Sequence, residues 1–284
     1  MPIDASRLLS HEFPEIAHTY VERDAILYAL GVGLGEDPTI AADLAFLYEN
    51  GLRVLPTFAV TLASPGLWIK DPAFGVDFAR LVHSEQAAVF FRPLPPRGRV
   101  VGTAKIISLT DRGEGKGAVL TLQRTISDAD NGTQYCTLQQ TLLLRGDGGF
   151  GGPEVPQFDN IIPARAPDLQ STFSISPRAA LIYRLSGDWN PLHVVPEAAA
   201  KAGFPRPILH GLATYGAAAV ATARALGRSP DEVVQIASRF SGIVYPGEEI
   251  VFHIWRTDEE AAFQGYIGER KVLDQGRITF ADDA

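Results

Sequence analysis

The sequence predicts an α+β fold built twice, each repeat an antiparallel sheet wrapped around a central, largely apolar helix. Three observations predict it. Segments of the two halves match at a near-constant offset. "ILYALGVG" from Ile26 pairs with "LIYRLSGD" from Leu181 at an offset of 155, and "VLPTFAVTLA" from Val54 pairs with "ILHGLATYGA" from Ile208 at 154. In each half, helical runs are followed by a meander of strands. Between the halves lies "GDGGFGGPEVPQFDNIIPARAPDLQ", Gly146 to Gln170, rich in Gly and Pro and without periodicity. A period this long indicates a duplicated domain, since solenoid repeats recur at roughly 20–50 residues. A helix and a sheet each need a partner for an apolar face, and wrapping one around the other supplies it.

The elements follow in order. "TIAADLAFLYEN" reads as a helix stopped by Gly51. "RVVGTAKIISL", "AVLTLQRTI" and "YCTLQQTLLL" are rich in Val, Ile, Thr and Leu and read as strands. The breaks "TDRGEGKG" and "SDADNGTQ" separate them, and the second carries an Asn-Gly hairpin signal. In the second half "ILHGLATYGAAAVATARALG" places small and apolar residues at helical spacing and ends at Gly227. Strands follow at "EEIVFHIWRT", "AAFQGYIGE" and "GRITFAD". The domain reading is residues 1–150 for the first repeat, 151–170 for the connection and 171–284 for the second repeat.

Composition narrows the function. Of 284 residues, 46% are hydrophobic, enough for a sizeable core. The net charge of −8 comes without basic blocks, which argues against nucleic acid or an anionic membrane as partner. Cys136 is the single cysteine, so neither an intramolecular disulfide nor a Cys/His zinc cluster is expected, and a reducing compartment suits the chain. The N-terminal "MPIDASRLLSHEF" lacks a basic region followed by an apolar run, "GLATYGAAAVATARAL" is too short and polar to span a bilayer, and "TFADDA" is no peroxisomal address. A cytoplasmic protein is the expectation.

"SGDWNPLHVV", Ser186 to Val195, concentrates the polar chemistry. Gly187, Asp188, Asn190 and Pro191 favour non-helical backbone, so the stretch is a loop. A surface turn would need no more than that. Three features add to it. Asp188 and His193 stand five residues apart on the loop, close enough to converge on one water, with reference pKa values of about 3.9 and 6.5 that suit acid/base work. Gly211 opens a small-residue helix whose outward N–H groups carry the positive end of the helix dipole, and a glycine admits close approach. The repeat supplies a control: the first half has Gly33 in place of Asp188 and Thr57 in place of Gly211. The polar set is therefore dispensable for the scaffold.

Here the sequence resembles a known family. "YRLSGDWNPLHVVPEAA" and "GFPRPILHGLATYG" resemble the hydratase 2 motif of the MaoC-like R-specific enoyl-CoA hydratases and the segment that follows it. "FLYENGLRVLPTFAV" and "LVHSEQAAVFFRPLP" resemble the degenerate first half of the two-repeat members, among them the hydratase portion of the peroxisomal multifunctional enzyme of β-oxidation. The resemblance implies a double hot-dog fold with one active site, in the second repeat. It also implies reversible syn addition of water to a trans-2-enoyl-CoA, giving an (R)-3-hydroxyacyl-CoA, without metal or redox cofactor. By the same resemblance Asp188 and His193 are the acid/base pair, Asn190 supports their loop, and the Gly211 N–H holds the thioester oxygen. Which of Asp188 and His193 is acid and which base stays open.

Other residues carry less. His210, before the oxyanion glycine, either orients the helix start or meets ligand. Lys201, Arg206 and Arg239 are candidates for the CoA phosphates, which need cations. Phe240, Tyr183 and Leu192 read as core or pocket wall. His83 in "LVHSEQ" and His253 in "VFHIW" read as structural or surface residues. "GVGLGEDP" lacks the spacing of a nucleotide loop. Its Gly31, Gly33 and Gly35 are expected to leave room for acyl chain. The resulting expectation is a homodimeric hydratase for medium, long or bulky acyl-CoA, with a hydratase of the same kind for a steroid side chain or a specialised acid pathway as the runner-up. A non-catalytic acyl-CoA or acyl-carrier binding protein and a hot-dog thioesterase are the alternatives.

Overall fold

The computed structural model describes residues 3–152, 161–257 and 260–282. Part of the expected connection, residues 153–160, lies outside them. The first repeat contains α1 (Ala5–Leu9), β1 (Ile16–Tyr20), α2 (Glu22–Gly31), α3 (Leu44–Leu47), β2 (Leu81–Phe90), β3 (Gly98–Asp111), β4 (Ala118–Asp128) and β5 (Gln134–Leu144). The second contains β6 (Leu169–Ser174), α4 (Ala179–Tyr183), α5 (Pro196–Lys201), α6 (Gly211–Ala225), β7 (Val233–Phe240), β8 (Glu249–Arg256), β9 (Ala261–Ile267) and β10 (Arg270–Phe280).

The ten strands of the described residues form one sheet in the order β1-β3-β4-β5-β2-β7-β10-β9-β8-β6. The order is a palindrome of the two repeats, which join where β2 pairs antiparallel with β7, from Glu85↔Arg239 to Val89↔Gln235. The duplication seen in the sequence is thus a pseudo-twofold through the centre of one sheet. The equivalent tyrosines of the two matching segments meet there: the rings of Tyr28 and Tyr183 lie 5.8 Å apart. Strand pattern supports the sheet locally. In β4 Ala118, Leu120, Leu122 and Ile126 are buried at period-two spacing. The β4–β5 turn is made by Asp128, whose Oδ1 accepts the N–H groups of Asp130 and Asn131, with Gly132 at φ +73°.

Helix α6 lies in the concavity of the sheet and is buried along most of its length. Its small residues are a packing requirement. A Cβ on Gly216 would stand 2.6 Å from Val32 Cγ1 and 2.7 Å from Tyr28 Oη. A separate cluster, with Leu8, Phe74, Leu120 and Leu144, closes the outer end of the first repeat.

Four expectations need correction. Among the described residues the first repeat has no counterpart of α6: "VLPTFAVTLA" forms only a six-residue 3-10 turn, Pro56–Thr61. β-branched Thr57, Val60 and Thr61 disfavour a longer helix, Ala63 turns to φ +45°, and Pro65 bars Ser64 from helical backbone. The helix expected in "TIAADLAFLYEN" shrinks to a 3-10 turn at Ala41–Asp43 and the single turn of α3, because Tyr48 is already extended. The edge strands β1 and β6 were not expected, and β6 begins at Leu169, inside the stretch read as connection. Finally, Gly31, Gly33 and Gly35 do not leave space. A Cβ on Gly33 would meet the Phe173 ring at 2.6 Å, one on Gly31 the Tyr183 backbone at 3.0 Å, and one on Gly35 Leu47 at 2.7 Å.

Candidate active site

The loop after α4 is built to present Asp188 and His193 to the start of α6. Gly187 ends the 3-10 turn Arg184–Ser186 at φ +111°, a conformation that suits glycine. Asp188 Oδ1 then accepts the Asn190 N–H at 3.1 Å, and Asn190 Oδ1 accepts the Leu192 N–H at 3.1 Å, capping a 3-10 turn over Pro191–His193. Asn190 is therefore the residue that shapes the loop. His193 Nδ1 lies 2.9 Å from the Ile208 carbonyl oxygen. A carbonyl only accepts, so Nδ1 carries the proton and Nε2 presents a lone pair. Burial lowers the His193 pKa from its usual value, against smaller upward effects of the Ile208 carbonyl and the Asp188 charge. The ring is neutral at pH 7.

His210 caps α6 from the other side. Its ring stacks on His193 with centroids 3.7 Å apart and tilts against Tyr183 at 4.9 Å. It is 1% exposed, and among the described residues neither ring nitrogen finds a hydrogen-bond partner. Burial, then the neighbouring His193, push its pKa down to about 3, while the Asp188 main chain acts weakly the other way. Gly211 follows at the first position of α6 and is exposed. Among the described residues no acceptor takes its N–H. Phe240 lies against this glycine, its nearest ring carbon 3.4 Å from where a Cβ would stand.

Asp188, His193 and His210 place possible ligand atoms within 4.8 Å of one another. The arrangement suits an acid/base pair on one water, beside a backbone donor at a helix N-terminus.

The structure thus brings Asp188, Asn190, His193, His210, Gly211 and Phe240 together. It does not bring Arg239 in. Phe240 faces the concave side, so Arg239 points to the opposite face, where its Nε donates to Glu85 Oε1 at 2.7 Å. Lys201 and Arg206 are exposed, and the Arg206 guanidinium lies 4.6 Å from the centre of the Tyr245 ring. His83, read from sequence as structural, packs edge-on against Phe240 at 5.0 Å. The signal that would have found it is a strand irregularity, which no sequence pattern prints.

Comparison with known proteins identifies the family. Residues 159–275 match the MaoC like domain and residues 18–146 the MFE-2 hydratase 2 N-terminal domain. The chain is 38% identical over 261 residues to enoyl-CoA hydratase ChsH3 of Mycobacterium tuberculosis, covering 90% of each chain. The chain belongs to the MaoC-like hydratase 2 family. It is also 38% identical over 281 residues to the peroxisomal enoyl-CoA hydratase 2 of Arabidopsis thaliana, covering 93% of this chain and 90% of the relative. The fold superposes on a MaoC-like dehydratase from Phytophthora capsici with a TM-score of 0.84 at 32% identity, over 99% of this chain and 100% of that one. The single sheet with its embedded helix is the double hot-dog arrangement of this family.

Proposed function

We propose that the protein reversibly adds water to trans-2-enoyl-CoA thioesters, giving (R)-3-hydroxyacyl-CoA. The observation that carries this reading is the convergence of Asp188 and His193 beside the open N–H of Gly211. The thioester oxygen takes that N–H, at the positive end of α6. Asp188 has Oδ1 engaged by Asn190, leaving its other oxygen to accept a hydrogen of the water. His193 offers Nε2 to the same water. As the water oxygen bonds to C3, its proton passes to Nε2 and the electron pair moves onto the thioester oxygen. The pair then returns, and C2 takes the proton from Nε2. Hydroxyl and hydrogen arrive from one side, the outcome is syn, and one water is consumed with both side chains restored. The cycle needs no cofactor.

The first repeat is non-catalytic in this proposal, with Gly33 and Thr57 at the positions of Asp188 and Gly211. Its short Pro56–Thr61 turn, in place of a full central helix, supports a preference for medium, long or bulky acyl chains. Lys201 and Arg206 are the cations proposed for the CoA phosphates. Among the described residues no helix is long and apolar enough to cross a membrane. The buried, unpaired Cys136 suits a reducing compartment, and we place the enzyme in the cytoplasm. We also propose a homodimer, for which exposed Leu181, Leu185 and Trp189 offer apolar surface; sedimentation equilibrium tests it.

The test mixes purified protein with crotonyl-CoA and with a longer trans-2-enoyl-CoA. Loss of enoyl absorbance without free thiol, with an (R)-configured product, is the expected result. Thiol release identifies a thioesterase instead, and no reaction with either substrate leaves a binding protein.

A further inference from the structure

The concave face of the sheet carries an unexpected polar row at the seam between the repeats. Gln140, Gln86 and Ser238 stand directly opposite one another on β5, β2 and β7. The adjacent row on the same face, Leu138, Ala88 and Ile236, is apolar and buried. Buried polar groups are costly unless bonded, and a face serving only the fold would be filled with apolar side chains. Here each is bonded. Gln86 Nε2 donates to the Ala87 carbonyl at 3.0 Å, Ser238 Oγ to the Asp274 carbonyl at 3.4 Å, and Gln140 Nε2 to His83 Nδ1 at 3.3 Å.

His83 is the residue this row serves. The β2–β5 register shifts between His83 and Glu85, and such bulges re-aim side chains beside active sites. Its Nε2 donates to the Glu85 carbonyl at 3.0 Å while Nδ1 accepts from Gln140, which fixes the ring and its tautomer. Burial pushes its pKa to about 4, and the Asp188 charge is near enough to act on it. With both nitrogens engaged, the ring moves no proton. It offers an edge to Phe240, at 5.0 Å and 78°, and Phe240 in turn lies on Gly211.

We propose that His83, carried by the first repeat, is a positioning residue for the second repeat's active site. It holds the Phe240 ring against Gly211 and so sets the depth at which the thioester oxygen meets the Gly211 N–H. This rests on the hydration reading. It gives the first repeat a part in the chemistry beyond room for acyl chain. The N–H acts most strongly on the charge that develops in the transition state, so loosening Phe240 lowers kcat more than it raises KM.

The experiment is a double-mutant cycle on hydration of crotonyl-CoA by full-length protein, with H83A, F240A, the double variant and H83F, each also followed by thermal melting. Wild-type hydration comes first, with the longer trans-2-enoyl-CoA used in place of crotonyl-CoA if only that one turns over: its absence with both overturns the hydration reading, and the inference that rests on it. Given wild-type activity, H83A is expected to lose roughly tenfold to a hundredfold in kcat with KM little changed, the scale of a small misplacement. The double variant should be no slower than F240A. H83F keeps the edge contact but loses both hydrogen bonds, so it should melt lower than wild type and turn over faster than H83A. Wild-type kcat in H83A, fully additive losses in the double variant, or H83F no faster than H83A would overturn the proposal. If H83A does not fold, H83F against H83Q decides it, H83F being required to have the higher kcat.

Discussion

Replacing Gly211 with alanine separates stability from chemistry at one atom. The glycine is the first residue of α6 and has no left-handed backbone to protect. A methyl placed there meets the Phe240 ring at 3.4–3.5 Å, ordinary van der Waals contact, so the fold accepts it without a shift. Alanine is the better helix former by up to about 1 kcal/mol, so G211A should melt at or above the wild-type temperature. The same methyl occupies the gap between the Phe240 ring and the amide, where a thioester oxygen has to come within about 2.7–3.1 Å of the nitrogen. Losing that donor costs about 2.7–4 kcal/mol of barrier, which is roughly 10²–10³ in kcat. The assay is enoyl-CoA absorbance under saturating substrate, with melting followed in the same preparation. A well-folded G211A with near wild-type kcat would refute the assignment of the oxyanion donor.

Two further predictions concern the scaffold and its pH response. Asp43, 4% exposed, accepts the Gly35 N–H at 2.8 Å and pairs with Arg224 of α6, tying the first repeat to the central helix. Because Arg224 keeps partial exposure, D43A should cost about 3 kcal/mol, the low end for breaking a buried pair, in urea unfolding; a loss below about 1 kcal/mol would contradict it. His83 and His210 have folded pKa values near 4 and 3, against about 6.5 in the unfolded chain. Above pH 6.5 neither state binds these protons; below it the unfolded chain takes up protons that the folded form refuses. Stability therefore falls as pH drops from about 6.5 towards 4 and 3, by about 2 kcal/mol for each histidine at pH 5. Urea unfolding at pH 7 and pH 5 measures this, and H83F should lose one proton from the slope; equal stability at both pH values would contradict it.

How much of this was legible in the sequence follows from the range of the forces involved. The α6 helix and strands β3, β4 and β5 announce themselves through local periodicity and composition, and the loop from Ser186 to Val195 through its turn residues. The repeat comparison also singled out Asp188 and His193 as candidates without structural help, because a scaffold position filled differently in two copies is visible in one chain. The edge strands β1 and β6 are short, and what makes them strands is pairing with β3 and β8, residues far away in sequence. Pro56–Thr61 falls short of a helix because of the backbone that follows it, although its apolar content resembles that of α6. Gly31, Gly33 and Gly35 were read as empty space, yet a glycine is equally the mark of a neighbour pressed close, here Tyr183, Phe173 and Leu47. Arg239 looked available for phosphate because its partner, Glu85, lies 154 residues away. His83 was hidden for a similar reason: its place depends on a bulge and on two strands of different repeats.

The central claim is that Asp188 and His193 act together on one water. Turnover of a trans-2-enoyl-CoA by D188N and H193A, each checked for wild-type melting, tests it most directly. Positioned proton transfer contributes about 10²–10⁴ in rate, so each folded variant should lose hydration by at least the lower figure. Near wild-type turnover in either folded variant would contradict it.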